Sequence, residues 1–179
     1  MDYKRLNLYW IDMKYIRDLQ NADKRVYSVS PQVGKQNRPY LGIIVLCGKQ
    51  KYCVPLTTPK SKHDNIKDKI DFTKIVVDGD FIAAINFSRM IPVEDGQLSK
   101  VDTKIRKHDN ARLKERKALL SKELMWCNEH YEEIVNKANV LYNKYKSGEF
   151  FKRKKDCLNF IKLEIVCDTY KNKNQQTCQ

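Results

Sequence analysis

Thr57, Thr58 and Lys60 fall in one short stretch, VPLTTPKSKH (54–63), with Lys62 and His63 just behind them. Two hydroxyls, the backbone N–H groups beside them and a mobile ammonium are the groups that hold a phosphodiester and stabilise charge developing on it. Pro59 has no N–H to donate, so strand pairing ends there and the row sits where a strand exits. The same residues also fit a solvated turn, because T-x-P-K is a weak pattern on its own. A second source of cations is GKQNRPY (34–40), with Lys35 and Arg38. It precedes the strand expected to pair with the one leading into Thr57. In an antiparallel hairpin the start of the first strand lies beside the end of the second. The spacing therefore predicts Arg38 next to Thr57–Lys60 at one sheet edge. His63 and His108 lie in lysine-rich loops, where an imidazole serves a phosphate as acid or base, or is simply an exposed loop side chain. His130 sits among helical apolar positions and reads as helix-face packing.

The elements that must position these groups change character near residue 100. LNLYWI (6–11) alternates and reads as a strand. Asp12 can cap a short helix, MKYIRDLQ, with Tyr15, Ile16 and Leu19 on one side. Residues 21–39 are polar and carry Pro31, Gly34 and Pro39, which predicts a long loop. YLGIIVLC and QKYCVPL flank Gly48-Lys49 as a hairpin, and Asp78-Gly79 predicts a second hairpin within FTKIVVDGDFIAAIN. PKSKHDNIKDK reads as a loop, and NFSRMIPV as a final strand ended by EDGQ. From Asn110 to Lys146 the apolar residues recur at three, four and seven, as one long helix or two consecutive ones, stopped at Gly148. CLNFIKLEIVCDTY is a last amphipathic helix. The pattern predicts an α+β protein: a small, strongly bent antiparallel sheet with helices packed around it and a helical C-terminal half. It reads as a single domain over 1–179, with a β-rich core to about 100, helices over about 101–172 and a frayed tail over about 173–179.

Lysine and arginine number 35 against 22 acidic residues, a formal charge of +13. That excess points to a polyanionic partner. No apolar run approaches a membrane span, and MDYKRLNLYWID lacks the apolar region of a signal peptide, so the expected location is cytoplasmic, with no membrane partner. The six cysteines form no C-x-x-C pair and no histidine stands at zinc-finger spacing. They read as buried structural thiols, with no metal and no cofactor. KIRKHDNARLKERK (104–117) and FKRKK (151–155) are basic runs. The second abuts Phe150-Phe151, and cations beside stacking aromatics suit single-stranded or folded RNA. Two readings follow: an RNA-cleaving enzyme, or a non-catalytic nucleic-acid-binding protein using the same surface. A small-molecule phosphate enzyme would need a glycine-rich phosphate loop, which is missing from the sequence.

Four stretches resemble the ToxN/AbiQ endoribonuclease toxins of type III toxin–antitoxin systems, with the CptN branch as the candidate closer match. They are YWIDMKYI (9–16), RPYLGIIVLCGKQKYCVPLTTPKSKH (38–63), INFSRMIPV (85–93) and CLNFIKLE (157–164). PLTTPK and MIPV at this separation carry most of the specificity. The resemblance implies a bent sheet similar to the MazF/Kid toxin fold. It implies metal-independent RNA cleavage through the substrate's own 2′-hydroxyl, leaving a 2′,3′-cyclic phosphate and a 5′-hydroxyl. Its implied partners are cellular or phage RNA as substrate and a small pseudoknotted RNA antitoxin, cut from a repeat transcript and assembled with the toxin into closed rings, often three of each. By position, Thr57, Thr58, Lys60 and Arg38 match the family's active site, with Thr58 where serine is common and Arg38 where the family has lysine. The RNA-binding candidates are Lys14 and Tyr15 on the first helix, and Lys35, Lys62 and His63 near the turn. Lys104, Arg106 and Lys107 form a further group, and Phe151, Lys152, Arg153, Lys154 and Lys155 another.

Overall fold

A computed structural model describes residues 5–29, 38–46, 50–64, 67–149 and 157–176. The chain runs β1 (Asn7–Ile11), α1 (Met13–Ala22), β2 (Tyr40–Leu46), β3 (Gln50–Thr57), a one-turn α2 (Ser61–Asp64), β4 (Phe72–Val77) and β5 (Asp80–Asn86). It continues through β6 (Ile91–Pro92), β7 (Leu98–Lys100), α3 (Ala111–Glu129), α4 (Tyr131–Ser147) and α5 (Phe160–Gln176). The sheet has the order β4-β5-β3-β2-β1-β7, with β6 paired to β3. Every pairing is antiparallel. This is the expected bent sheet flanked by helices.

Local chemistry explains most of the elements. Asp12 caps α1 by accepting from the Tyr15 N–H, and Tyr15, Ile16 and Leu19 form its buried stripe. Asp78 and Gly79 both have positive φ, 53° and 87°, as a two-residue turn between Val77 and Asp80 requires. Gly148 ends α4 in the left-handed conformation. The bend has a local cause in β2. Its register against β3 shifts between Leu41 and Ile44, so Gly42 and Ile43 together oppose Cys53. Gly42 is needed there because a Cβ would meet Cys53 Sγ at 2.3 Å.

Several expectations are corrected. NFSRMIPV is not one strand: Phe87–Arg89 forms a 3₁₀ turn, and only Ile91–Pro92 pairs with β3. Part of the 59–69 loop is helical, as α2. β7 adds an edge strand beside β1 where none was foreseen. Of the two alternatives for the long helical region, two consecutive helices form, broken at His130, whose ring stacks on Trp126 at 3.8 Å. α5 continues to Gln176, past the point where fraying was expected. Of the six cysteines expected to be buried thiols, Cys53, Cys127, Cys157 and Cys167 are buried and free, and Cys47 and Cys178 lie outside the described residues.

One buried cluster spans both halves, from Leu6 and Tyr40 to Leu163 and Cys167. Glu164 on α5 ties the layers together. Its carboxylate accepts from the hydroxyls of Tyr52 (2.8 Å) on β3 and Tyr142 (2.5 Å) on α4, and pairs with Lys146 at 3.0 Å. On α3 two of the four buried residues are a lysine and a glutamate. Lys117 is paired to Asp109 at 2.9 Å. Glu123 is 5% exposed, and burial pushes its carboxyl from an ordinary 4.5 up to about 7 against a partial offset from Arg116.

Two stability predictions follow from this packing. Gly42→Ala should destabilise by about 1–3 kcal/mol through overpacking, and Gly42→Ala with Cys53→Ala should recover part of that loss. A urea-denaturation cycle checks this, and additive effects would contradict the Sγ clash. For Glu123 the folded state binds the extra proton, so stability falls as pH rises from 4.5 to about 7. Glu123→Gln should flatten that slope and stabilise at pH 8 by roughly 2 kcal/mol. Denaturation midpoints at pH 5 and pH 8 measure it, and an unchanged slope would contradict it.

Candidate active site

The site begins with the register of β2 and β3. Tyr40 lies opposite Pro55, and the Leu56 N–H donates to the Pro39 carbonyl at 3.1 Å, extending the ladder one residue past β2. Residues directly opposite in an antiparallel pair share a face, so a ladder continued two residues past Tyr40 and Pro55 would set Arg38 beside Thr57. On the other edge of β3, Thr57 pairs with Ala84 of β5. Thr57 is half-buried at the last position of the strand, and Thr58, Pro59 and Lys60 are exposed beyond it. The Lys60 carbonyl accepts from the His63 N–H at 2.7 Å, which closes the turn into α2.

Residues that sequence reasoning did not single out complete this edge. The Arg38 guanidinium lies 4.4 Å from the centroid of the Tyr27 ring and donates to the Ser28 carbonyl at 3.3 Å. The Arg89 guanidinium lies 5.9 Å from the same ring. Asn86 donates to the Tyr27 hydroxyl at 3.3 Å and accepts from the Ser88 hydroxyl at 2.7 Å. Tyr27 is flanked in sequence by two buried valines, Val26 and Val29. The turn leading to it is closed by the Val26 N–H on the Asp23 carbonyl at 3.0 Å. Two successive N–H groups entering α5 clamp the site's two loops. Leu158 donates to the Ser88 carbonyl at 3.0 Å, and Asn159 donates to Asp23 Oδ2 at 2.8 Å. Burial alone would raise the Asp23 carboxyl, but hydrogen bonds from Arg25 and Asn159 outweigh it and hold the group at about 2. The only signal for these residues in the sequence was the INFSR stretch, whose polar positions interrupt an apolar run.

The predicted RNA contacts divide. Lys14, Lys104, Arg106 and Lys107 are exposed. The loop carrying the last three is pinned from beneath by Lys117, whose Nζ donates to the Lys104 carbonyl and to Asp109 Oδ2, both at 2.9 Å. The Arg106 N–H and the Lys117 ammonium hold the Asp109 carboxyl below the usual range. Arg106 also pairs with Asp102 at 2.9 Å. Tyr15 is corrected as an RNA contact. It is 0% exposed, donates to the Pro92 carbonyl at 2.7 Å and meets Tyr170 edge-on. His63 is corrected likewise, being 7% exposed and packed against Phe72 and Phe81. Its ring fastens the 58–63 turn to the β4–β5 hairpin. Lys35 and the run Phe151, Lys152, Arg153, Lys154 and Lys155 lie outside the described residues, as does the side chain of Lys62. An open groove of about 620 Å³ on α3, lined by Arg5, Ser121, Met125 and neighbours, contains none of the candidate active-site residues.

The bent sheet and the helices around it together define a MazF- and ToxN-like fold. The chain belongs to the family described as Toxin ToxN, type III toxin-antitoxin system, whose model matches residues 7–168. This is a family of endoribonuclease toxins regulated by RNA antitoxins. The chain is 28% identical over 148 residues to the Endoribonuclease ToxN of Pectobacterium atrosepticum, covering 80% of this chain and 84% of that one. It is 25% identical over 170 residues to the Endoribonuclease ToxN of Bacillus thuringiensis subsp. kurstaki, covering 92% and 84%. Among solved structures, a type III toxin selectively inhibited by a non-coding RNA pseudoknot superposes with a TM-score of 0.78 at 24% identity, over 93% of this chain and 98% of that one. AbiQ, a lactococcal anti-phage endoribonuclease, superposes at 0.76 with 22% identity, over 94% and 99%.

His63→Ala should cost about 1–3 kcal/mol by removing a buried ring. It should also speed amide exchange across 57–64 more than elsewhere in the sheet. Hydrogen–deuterium exchange followed by mass spectrometry reads this, and unchanged protection of the turn would contradict a fastening role.

Proposed function

We propose that this chain is a metal-independent endoribonuclease toxin that cuts RNA at the β3 edge. The observation that supports the reading is the β2–β3 register, which pairs Tyr40 with Pro55 and Pro39 with Leu56 and so leads Arg38 toward Thr57, immediately before the exposed Thr58 and Lys60. In the proposed reaction the RNA's 2′-oxygen attacks the adjacent phosphorus. The new 2′-O–P bond forms as the P–O5′ bond breaks, leaving a 2′,3′-cyclic phosphate and a 5′-hydroxyl. The 2′-hydroxyl gives up one proton and the 5′-oxygen gains one. Negative charge gathers on the non-bridging oxygens, where Arg38, Lys60 and the threonine hydroxyls stabilise it. Thr57 and Thr58 also fix the phosphate's orientation, and in-line placement of the 2′-oxygen supplies much of the rate.

The exposed Lys14, Lys104, Arg106 and Lys107 suit a longer, folded RNA that covers the site and neutralises the surface. Such an RNA, matured from a repeat transcript and seated on these cations, is the proposed antitoxin, with cellular or phage RNA as the substrate. Closed rings of three toxins and three RNAs are the proposed assembly. One buried cluster shared by the sheet and the helices supports treating 1–179 as a single domain.

Lys60→Ala should abolish growth arrest on expression and slow RNA cleavage by about 100-fold or more, while leaving antitoxin binding within a few-fold. Growth curves and filter-binding assays on purified protein measure the two effects. Undiminished toxicity would remove Lys60 from the site. Antitoxin affinity should fall steeply as salt rises, and a flat response would contradict the basic seat.

A further inference from the structure

We propose that Arg89 is a second phosphate-binding guanidinium of this site, acting with Arg38 on the same scissile phosphodiester. The inference rests on the nuclease reading above and adds a residue to it.

Arg89 ends the 3₁₀ turn Phe87–Arg89. The turn is rigidly held. The Phe87 N–H donates to the Asp71 carbonyl at 3.0 Å, Met90 donates back to Phe87 at 3.2 Å, and Leu158 fixes Ser88 at 3.0 Å. Phe87 itself is 0% exposed. Nη1 of Arg89 is buried with no hydrogen-bond partner, and among the described residues Arg89 has no carboxylate partner. A guanidinium cannot shed its charge, and a buried unpaired donor is costly to keep. Such a group points to an anion that completes it.

The position of Arg38 identifies that anion. Both guanidinium carbons approach one Tyr27 ring, at 4.4 Å and 5.9 Å, so they lie within about 10 Å of each other. An anion shared by two guanidiniums on one ring would offset whatever repulsion they have. They come from opposite sides of β3. Arg38 lies just before β2, whose ladder leads it toward Thr57, while Arg89 lies on the segment joining β5 to β6, both of which pair with the other edge. A phosphodiester at Thr57–Lys60 is therefore approached from two directions. Planar guanidinium forks on separate non-bridging oxygens would fix its orientation as well as its charge.

The test uses a synthetic oligoribonucleotide spanning a site that the wild-type chain cuts in total bacterial RNA. It is made in three forms: all-oxygen, and with Rp or Sp phosphorothioate at the scissile position. Single-turnover cleavage is compared for wild type, Arg89→Met and Arg89→Lys. Arg89→Met should slow the all-oxygen substrate by about 100-fold and reduce the thio effect of one stereoisomer toward unity, with Arg89→Lys in between. Each thio effect is a ratio within one protein, so partial misfolding does not move it. Rates within threefold of wild type would overturn the proposal. So would slowing that leaves both thio effects intact, since Arg89 would then only brace Tyr27. A wild-type chain that cuts no RNA overturns the nuclease reading itself, which none of the variant results can mimic.

Discussion

The two-sided hydrogen bonding of β3 is the constraint on which the rest of the structure depends. One edge pairs with β2 throughout, whereas the other pairs with β6 at Tyr52 and Cys53 and with β5 at Leu56 and Thr57. Pro55 stands where the second edge changes partner. Backbone groups alternate in direction along a strand, and Leu56 donates toward β2, so the nitrogen of Pro55 faces the gap between β6 and β5. A residue with no N–H leaves nothing unsatisfied there, which is how a proline is accommodated within a strand paired on both edges. The changeover lets the sheet bend, and the β2 bulge at Gly42 bends it again just across the ladder.

That bend gives Thr57 its surroundings. Three chain segments distant in sequence converge at the end of β3: the Tyr27 loop after α1, Arg38 at the start of β2, and the turn after β5. The helical half holds the convergence in place through backbone donors at Leu158 and Asn159. The C-terminal helices are thus part of the site's geometry as well as its core. The proposed phosphate site would rely on preorganised cations and hydroxyls, so rigidity of the surrounding loops matters as much as the identity of the groups.

The sheet-and-helix architecture was legible where local chemistry is strong. The Asp12 cap, the Asp78-Gly79 turn, the β2–β3 hairpin and the stop at Gly148 each have a physical cause within a few residues. β6 and β7, two and three residues long, are too short to show any period and exist only because β3 and β1 offer open edges. The choice between one helix and two, and the place of the break at His130, could not be read because Cys127, Tyr131, Ile134 and Ala138 continue one helical stripe across it. Within the candidate site, the β2–β3 hairpin that carries Arg38 and Thr57 could be read from its turn and strands. Tyr27 and Arg89 could not, since long-range pairing brings them in. Tyr15 and His63 misled for the opposite reason: a polar ring near basic residues suggests a ligand contact, whereas burial decides the matter and only the packed structure shows it.

The central claim is that the β3 edge cuts RNA by transfer to the 2′-oxygen. The most direct measurement is end-group analysis of RNA incubated with purified protein, by mass spectrometry and by ligation. The account predicts 2′,3′-cyclic phosphate on the upstream fragment and a 5′-hydroxyl on the downstream one, lost together in Lys60→Ala. A 3′-hydroxyl with a 5′-phosphate, or intact RNA bound tightly without cleavage, would contradict it.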